Sequence, residues 1–347
     1  MSVHTRHSRL ESPDGEQCHN EGGQALEADT SRGVSVVIPV YNAEKTIAAV
    51  CAQVAEVLDG AGRPFEIVLV EDRAHDGSWE VIRELAQFDH RIRGIRMSRN
   101  FGQHCALLCG IRAARYPVCA TLDDDLQHPP SETLKLLEVL DSGYDVVYGT
   151  PIHERHGVFR DMASRMTKLA LQKAMGAETA RNVSAFRVFR TSVRDAFTDF
   201  RGPFVSIDVL LTWGTGSFTS VPVRHDPREL GESNYTLGML VAHALNMLTG
   251  FTAIPLQLAS VLGFGFAAFG VGILVYVLAM YAIYGHAVPG FTFLASVIAI
   301  FSGAQLFAIG MIGEYLARMH FRVMDKPAYV VGETTTSGRP VPRGPQS

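Results

Sequence analysis

The sequence predicts an α/β domain with a mostly parallel sheet, followed by amphipathic interface helices and a pair of membrane-crossing helices. Three observations carry this. Short, continuous apolar runs alternate with helical segments between residues 35 and 148. Polar and acidic residues gather directly after several of those runs. Residues 256–284 and 291–313 contain no Asp, Glu, Lys or Arg. Alternation with uninterrupted apolar strands is the pattern of a parallel sheet covered on both faces. An apolar run beyond about 20 residues is long enough to cross a bilayer as a helix.

The elements follow in order. Residues 35–40 read as a strand and 44–58 as a helix. Residues 65–70 are the next strand and 78–88 the next helix. A third strand covers 92–97, with a helix over about 103–114. The fourth strand is 118–122, with a helix over about 131–141, and 145–148 is the fifth. In such sheets ligands bind beyond the carboxyl ends of the strands. The first strand ends in PVYN (39–42), the second in VEDRAHDGS (70–78) and the fourth in LDDDLQHPP (122–130). Helix capping alone would account for Asp76 and Ser78. It does not account for Asp123, Asp124 and Asp125 in a row, whose charges repel and whose desolvation is costly. A hard divalent cation such as Mg²⁺ prefers carboxylate oxygens and bridges them to phosphates, and its charge offsets the repulsion. No GxxxxGK[ST] is present, and no GxGxxG follows a strand. GFGFAAFG at 263–270 follows no strand and lies in an apolar span, so it is not a dinucleotide loop.

The net charge of −4 argues against a nucleic-acid partner. The five cysteines form no CxxC pair, which fits a reducing compartment better than a disulfide framework. Cys105 and Cys109 lie one helical turn apart and read as small buried residues. Residues 1–32 are polar, lack the apolar core of a signal peptide, and read as a disordered tail. The expected organisation is this tail, a domain over 33–235, a juxtamembrane amphipathic helix over 236–254, two spans over 255–317 and a tail over 318–347. That last tail carries five Lys/Arg against two acids, which places it in the cytoplasm, and an even number of spans returns the domain and both termini to that side of an inner membrane. Gly263, Ala267, Ala268 and Gly272 suit close helix packing and leave a homo-oligomer open. Residues 158–173 have one apolar face with Arg160, Arg165, Lys168 and Lys173 mainly off it, as on a basic helix lying on anionic lipid or on an ordinary surface helix.

SVVIPVYN, VEDRAHDGS and LDDDLQHPP, in this order, resemble the family 2 glycosyltransferases of GT-A fold. NVSAFRVF (182–189), VPVRHDPRELGESNY (221–235) and GEYLARMHFRVMDKPAYVV (313–331) are similar to the polyprenyl-phosphate glycosyltransferases, and the resemblance covers roughly 33–332. It implies inverting transfer of a sugar from a nucleotide-sugar donor, with a UDP-hexose expected, to a polyprenyl phosphate such as undecaprenyl or decaprenyl phosphate, with Mg²⁺ or Mn²⁺ as cofactor. It implies that Pro39, Tyr41 and Asn42 line the nucleotide pocket and that Glu71 and Asp72 contact base or ribose. Asp125 and Gln127 would hold the metal. Asp123 would sit near sugar and nucleotide, with Asp124 beside it at the variable position. Arg187 and Arg228 would bind phosphates, with Ser233, Tyr235 and Lys168 nearby, and Asp123, Asp125 and Arg228 would be the catalytic group.

Two departures stand out. Asn42 is followed by Ala43 and Glu44 rather than by acids, and Asn234 stands where the family has a lysine. An acceptor phosphate is already ionised near neutral pH, its second pKa being about 6, so no strong base is required. Two other readings remain: a processive polysaccharide synthase, whose QxxRW element surrounds neither Trp79 nor Trp213, and a non-catalytic membrane scaffold that keeps the fold.

Overall fold

The computed structural model describes residues 31–151, 183–202, 204–226, 254–284 and 290–335. Its elements are β1 (Val34–Val40), α1 (Ile47–Gly60), β2 (Phe65–Glu71), α2 (Ser78–Phe88), β3 (Ile92–Met97), α3 (Gln103–Ala113), β4 (Val118–Thr121), α4 (Thr133–Asp141), β5 (Val146–Pro151), β6 (Arg187–Arg190), α5 (Ile207–Gly214), β7 (Phe218–Val223), α6 (Ile254–Tyr284), α7 (Phe291–Val323) and β8 (Val331–Thr334). One sheet orders them β7-β5-β6-β4-β1-β2-β3-β8. Strands β4, β1, β2 and β3 run parallel. Antiparallel β6 enters between β4 and β5, and antiparallel β8 pairs with β3. This is a mixed, mostly parallel sheet, as the alternation predicts, and it is of the GT-A type that the resemblance implies.

The strands read as continuous apolar runs because both faces are covered. One face packs Val36, Ile38, Ile67 and Leu69 against α1, Trp79 and Ile82 of α2, and Leu136, Leu137 and Leu140 of α4. The other packs Val37, Val68 and Val70 against α3, and Val146, Tyr148 and Phe189 against α5. Helix α3 approaches most closely at Gly110, where an added Cβ would lie 2.3 Å from Val37 Cγ1 and 3.0 Å from Val70 Cγ2. The first helix starts at Ile47 rather than residue 44. Glu44 N–H donates to Asp76 and the Glu44 carboxylate accepts from Gly77 N, so this stretch is a turn stitched to the loop after β2.

Helices α6 and α7 are long and apolar enough to cross a membrane. They meet along heptad-like seams: Phe266, Gly270, Ile273, Val277 and Met280 on α6 are half-buried, as are Phe301, Ala304, Ala308, Met311 and Tyr315 on α7. Such spacing keeps one stripe of each helix facing the other. An added Cβ on Gly270 would meet the Phe301 ring at 2.9 Å, whereas Gly263 and Gly272 have nothing within 4 Å. The small residues expected to mediate packing therefore lie off the hairpin seam.

The second apolar helix does not give way to a tail at 318. It continues to Val323, and the chain then returns to the sheet as β8. Arg318 stacks over Phe204 at 4.7 Å while bonding Glu314, and Arg201 pairs with Asp325. Ala328 and Tyr329 enter the α3 side of the core, and Ser98 N donates to Val330 O at 2.9 Å. The domain end of the hairpin is thus anchored to the sheet through side-chain contacts and strand pairing.

Candidate active site

The three polar strand ends meet at one edge, because β4, β1 and β2 are adjacent and parallel. Left-handed backbone at Asn42 (φ 55), Arg73 (φ 55) and Leu126 (φ 59) turns each loop sharply. Non-glycine residues rarely hold that conformation, and such strain clusters at functional sites. The loops are also tied together: Asn42 Oδ1 accepts from His75 N at 3.1 Å.

Each of the three consecutive acids has a different partner. Asp123 Oδ1 accepts from Gln103 Nε2 at 2.7 Å. Asp124 Oδ2 accepts from Tyr41 N at 3.1 Å. Asp125 Oδ1 accepts from Gln127 N at 3.1 Å. Burial, reinforced by the charges of Asp123 and Asp125 and opposed by the Tyr41 N–H, pushes the Asp124 carboxyl up to about 7. The 225–226 segment docks on this loop. Asp226 N donates to Gln127 O at 2.8 Å, and the His225 ring lies 4.8 Å from the His128 ring, which also contacts Phe186 at 5.3 Å. Burial, and then the neighbouring His225, lower the His128 imidazole to about 4.

Tyr41 is 46% exposed at this edge, but Pro39 is buried in β1. Glu71 is fully buried, paired with Arg96 at 3.0 Å and bonded by Ala74 N. Both Asp72 oxygens are occupied, accepting from Phe101 N at 2.7 Å and Gly102 N at 2.6 Å. Burial raises both carboxyls, against the pull of those N–H donors. Glu71 and Asp72 are therefore held by the loops of this edge rather than presented as the open side chains expected of contacts to base or ribose.

Arg187 stands on β6 opposite Thr121, two residues before Asp123, but its side chain is buried. It is 1% exposed, donates to Thr121 Oγ1 at 3.1 Å and pairs with Asp208, which also accepts from Tyr148 O–H at 3.1 Å. Its guanidinium neutralises a buried carboxylate inside the domain, so the expected phosphate contact is corrected to a structural brace. Lys168, Arg228, Ser233 and Tyr235 lie outside the described residues, as do the segment 158–173 and, up to residue 253, the expected juxtamembrane helix over 236–254.

The sequence reading missed SRNFGQ (98–103) at the end of β3. It supplies Gln103 to Asp123 and the two N–H groups to Asp72. A polar run holding a glycine directly after a strand, at the same sheet edge, was the available signal.

Among the described residues no cluster of three His, Cys, Asp or Glu side chains forms a metal cage. Asp125 and Gln127 offer oxygen donors two residues apart, a set that suits Mg²⁺ or Mn²⁺ when the remaining positions go to water and substrate phosphate.

A model of the family described as glycosyl transferase family 2 matches residues 35–197. The undecaprenyl-phosphate 4-deoxy-4-formamido-L-arabinose transferase of Aeromonas hydrophila is 33% identical over 307 residues, 88% of this chain and 94% of that one. The protein of the same name from Edwardsiella ictaluri is 34% identical over 315 residues, covering 90% of this chain and 97% of its own. Among solved structures, glucosyl-3-phosphoglycerate synthase of Mycobacterium tuberculosis, crystallised with Mn²⁺, UDP and phosphoglyceric acid, is 20% identical, covers 65% of this chain and 80% of its own, and superposes with a TM-score of 0.48. The family match spans the acidic loop and the strands that carry it, and the curated relatives match along nearly their whole length, so the chain belongs to glycosyl transferase family 2, alongside the undecaprenyl-phosphate sugar transferases.

Proposed function

We propose that the protein transfers a sugar from a uridine-diphosphate donor to undecaprenyl phosphate or a related polyprenyl phosphate, with inversion at the anomeric carbon. One observation carries the reading: three consecutive acids stand at the carboxyl edge of the sheet, each held by a separate donor, beside the loops of β1 and β2. The relatives support the acceptor class, since they are named as undecaprenyl-phosphate transferases. Their donor sugar is a formamido pentose, so that sugar stands beside the hexoses as a candidate.

Asp125 and Gln127 would hold the divalent cation, which when bound offsets charge on the leaving diphosphate. Gln103 orients Asp123 toward sugar and nucleotide. Tyr41 offers an exposed ring at the same edge for the nucleotide. Arg228, with Ser233, Tyr235 and Lys168, would bind phosphate oxygens. The acceptor phosphate is already anionic, so alignment and charge stabilisation carry the reaction without a strong base.

Helix α7 leads directly into β8, which pairs with β3 of the catalytic sheet. The end of the hairpin and the domain are therefore on one side, and the excess of Lys/Arg after residue 317 supports the cytoplasmic side of an inner membrane.

The test uses purified protein in detergent with undecaprenyl phosphate and a panel of nucleotide sugars. The panel includes UDP-hexoses and UDP-4-deoxy-4-formamido-L-arabinose, each with Mg²⁺, Mn²⁺ or EDTA. Mass spectrometry is expected to find one lipid-linked sugar that disappears with EDTA. A folded sample that yields no product and binds neither nucleotide nor metal refutes the reading in favour of a scaffold.

A further inference from the structure

We infer that Asp124 is a positioning residue, joining the donor-side loop after β1 to the acidic loop after β4, and that it is not a ligand of the cation. The inference rests on the proposed function only for the identity of the nucleotide.

The geometry separates Asp124 from its neighbours. Asp123 is engaged by Gln103 of α3 and Asp125 by the backbone of its own loop. Asp124 reaches the loop after β1, accepting the Tyr41 backbone N–H at 3.1 Å across 83 residues of sequence. Left-handed residues lie beside this link on both sides, Asn42 directly after Tyr41 and Leu126 two residues after Asp124. Two strained turns are thus held against each other by one side chain. Asn42 carries the connection on to the loop after β2 through His75 N.

A carboxylate accepting a backbone N–H across two loops fixes their spacing. Tyr41 is the exposed aromatic on one loop, and Asp125 and Gln127 are the oxygen donors on the other. The seat for the nucleotide and the seat for the cation are therefore built as one unit, and neither loop moves away without stretching the bond. Loss of the acceptor should loosen the β1 loop and weaken nucleotide binding while leaving the oxygen donors in place. An asparagine carbonyl accepts the same N–H, so Asp124→Asn should preserve the link.

The experiment compares the full-length wild type, Asp124→Ala and Asp124→Asn in detergent. Deuterium exchange is read on the peptide containing residue 41, UDP affinity by calorimetry with saturating Mn²⁺, and Mn²⁺ affinity by paramagnetic resonance without nucleotide. For Asp124→Ala, exchange faster by about tenfold and UDP binding weaker by about tenfold are expected, the scale of one hydrogen bond. Asp124→Asn should stay within about twofold on both readouts, and Mn²⁺ affinity should hold in both variants. Unchanged exchange in Asp124→Ala overturns the link. Equal damage in Asp124→Asn overturns it too, because charge rather than the acceptor would then matter. Loss of Mn²⁺ binding in both variants makes Asp124 a cation ligand. If the wild type binds no UDP, the proposed donor fails, while the exchange measurement still decides the role of Asp124.

Discussion

Replacing Arg187 with methionine separates a brace from a phosphate ligand. Arg187 is 1% exposed and Asp208, whose carboxylate it neutralises, is 9% exposed. Methionine keeps most of the volume and removes the charge. Asp208 then retains the Tyr148 hydroxyl at 3.1 Å and has lost its counter-ion. Thr121 Oγ1 also loses the Arg187 donor it held at 3.1 Å. Breaking a buried pair from one side costs about 3–5 kcal/mol, because a desolvated charge is left uncompensated. Set against a total of about 5–15 kcal/mol for a folded domain, that is a large share. With a urea slope of about 2 kcal/mol per molar, the midpoint should fall by about 2 M. The buried Trp79, which lies on α2 away from β6, reports unfolding by fluorescence. The double variant Arg187→Met/Asp208→Leu should recover most of the loss, since a buried ion pair is often replaceable by apolar groups at little cost. An Arg187→Met protein with an unchanged midpoint and weakened UDP binding would refute the reasoning and restore the phosphate role.

Other outcomes follow from single contacts. Asp125→Asn should abolish metal-dependent turnover while the chain stays folded, since an amide oxygen still accepts the Gln127 N–H of the same loop; the check is turnover beside a urea titration. Asp72→Ala leaves the Phe101 and Gly102 N–H groups without their carboxylate, and should destabilise the start of α3 by about 2–4 kcal/mol, read as faster exchange of residues 99–106. Gly110→Ala forces a Cβ to 2.3 Å from Val37 and should cost about 1–3 kcal/mol by overpacking, measured by thermal unfolding. Burial pushes the Cys105 and Cys109 thiols up to about 12, so iodoacetamide at pH 8 should leave both unmodified until the domain unfolds; site-resolved mass spectrometry decides this.

The pattern along the chain revealed β1 to β4 and their helices because apolar strands and amphipathic helices repeat there without interruption. The acidic cluster was legible for a similar reason, since three adjacent carboxylates have no ordinary structural use. Strands β6 (RVFR) and β8 (VGET) were not legible. Each is four residues long and carries charge, so neither shows a period. Arg187 was misread for a related reason: a sequence shows its charge and not its burial, and its partner Asp208 lies 21 residues away. Gln103 gives no comparable signal, because the residue that holds Asp123 is a neutral amide at the start of α3.

Strand β8 carries a consequence for how the molecule is made. It is translated after both apolar helices, yet it covers the outer edge of β3. While α6 and α7 emerge, that edge remains an open row of backbone donors and acceptors. Open edges recruit other strands and feed aggregation. Synthesis therefore withholds the last strand of the sheet until the hairpin has left the ribosome. A chain arrested before residue 331 displays an unpaired strand that a finished molecule conceals, a difference that quality-control proteases and chaperones can read.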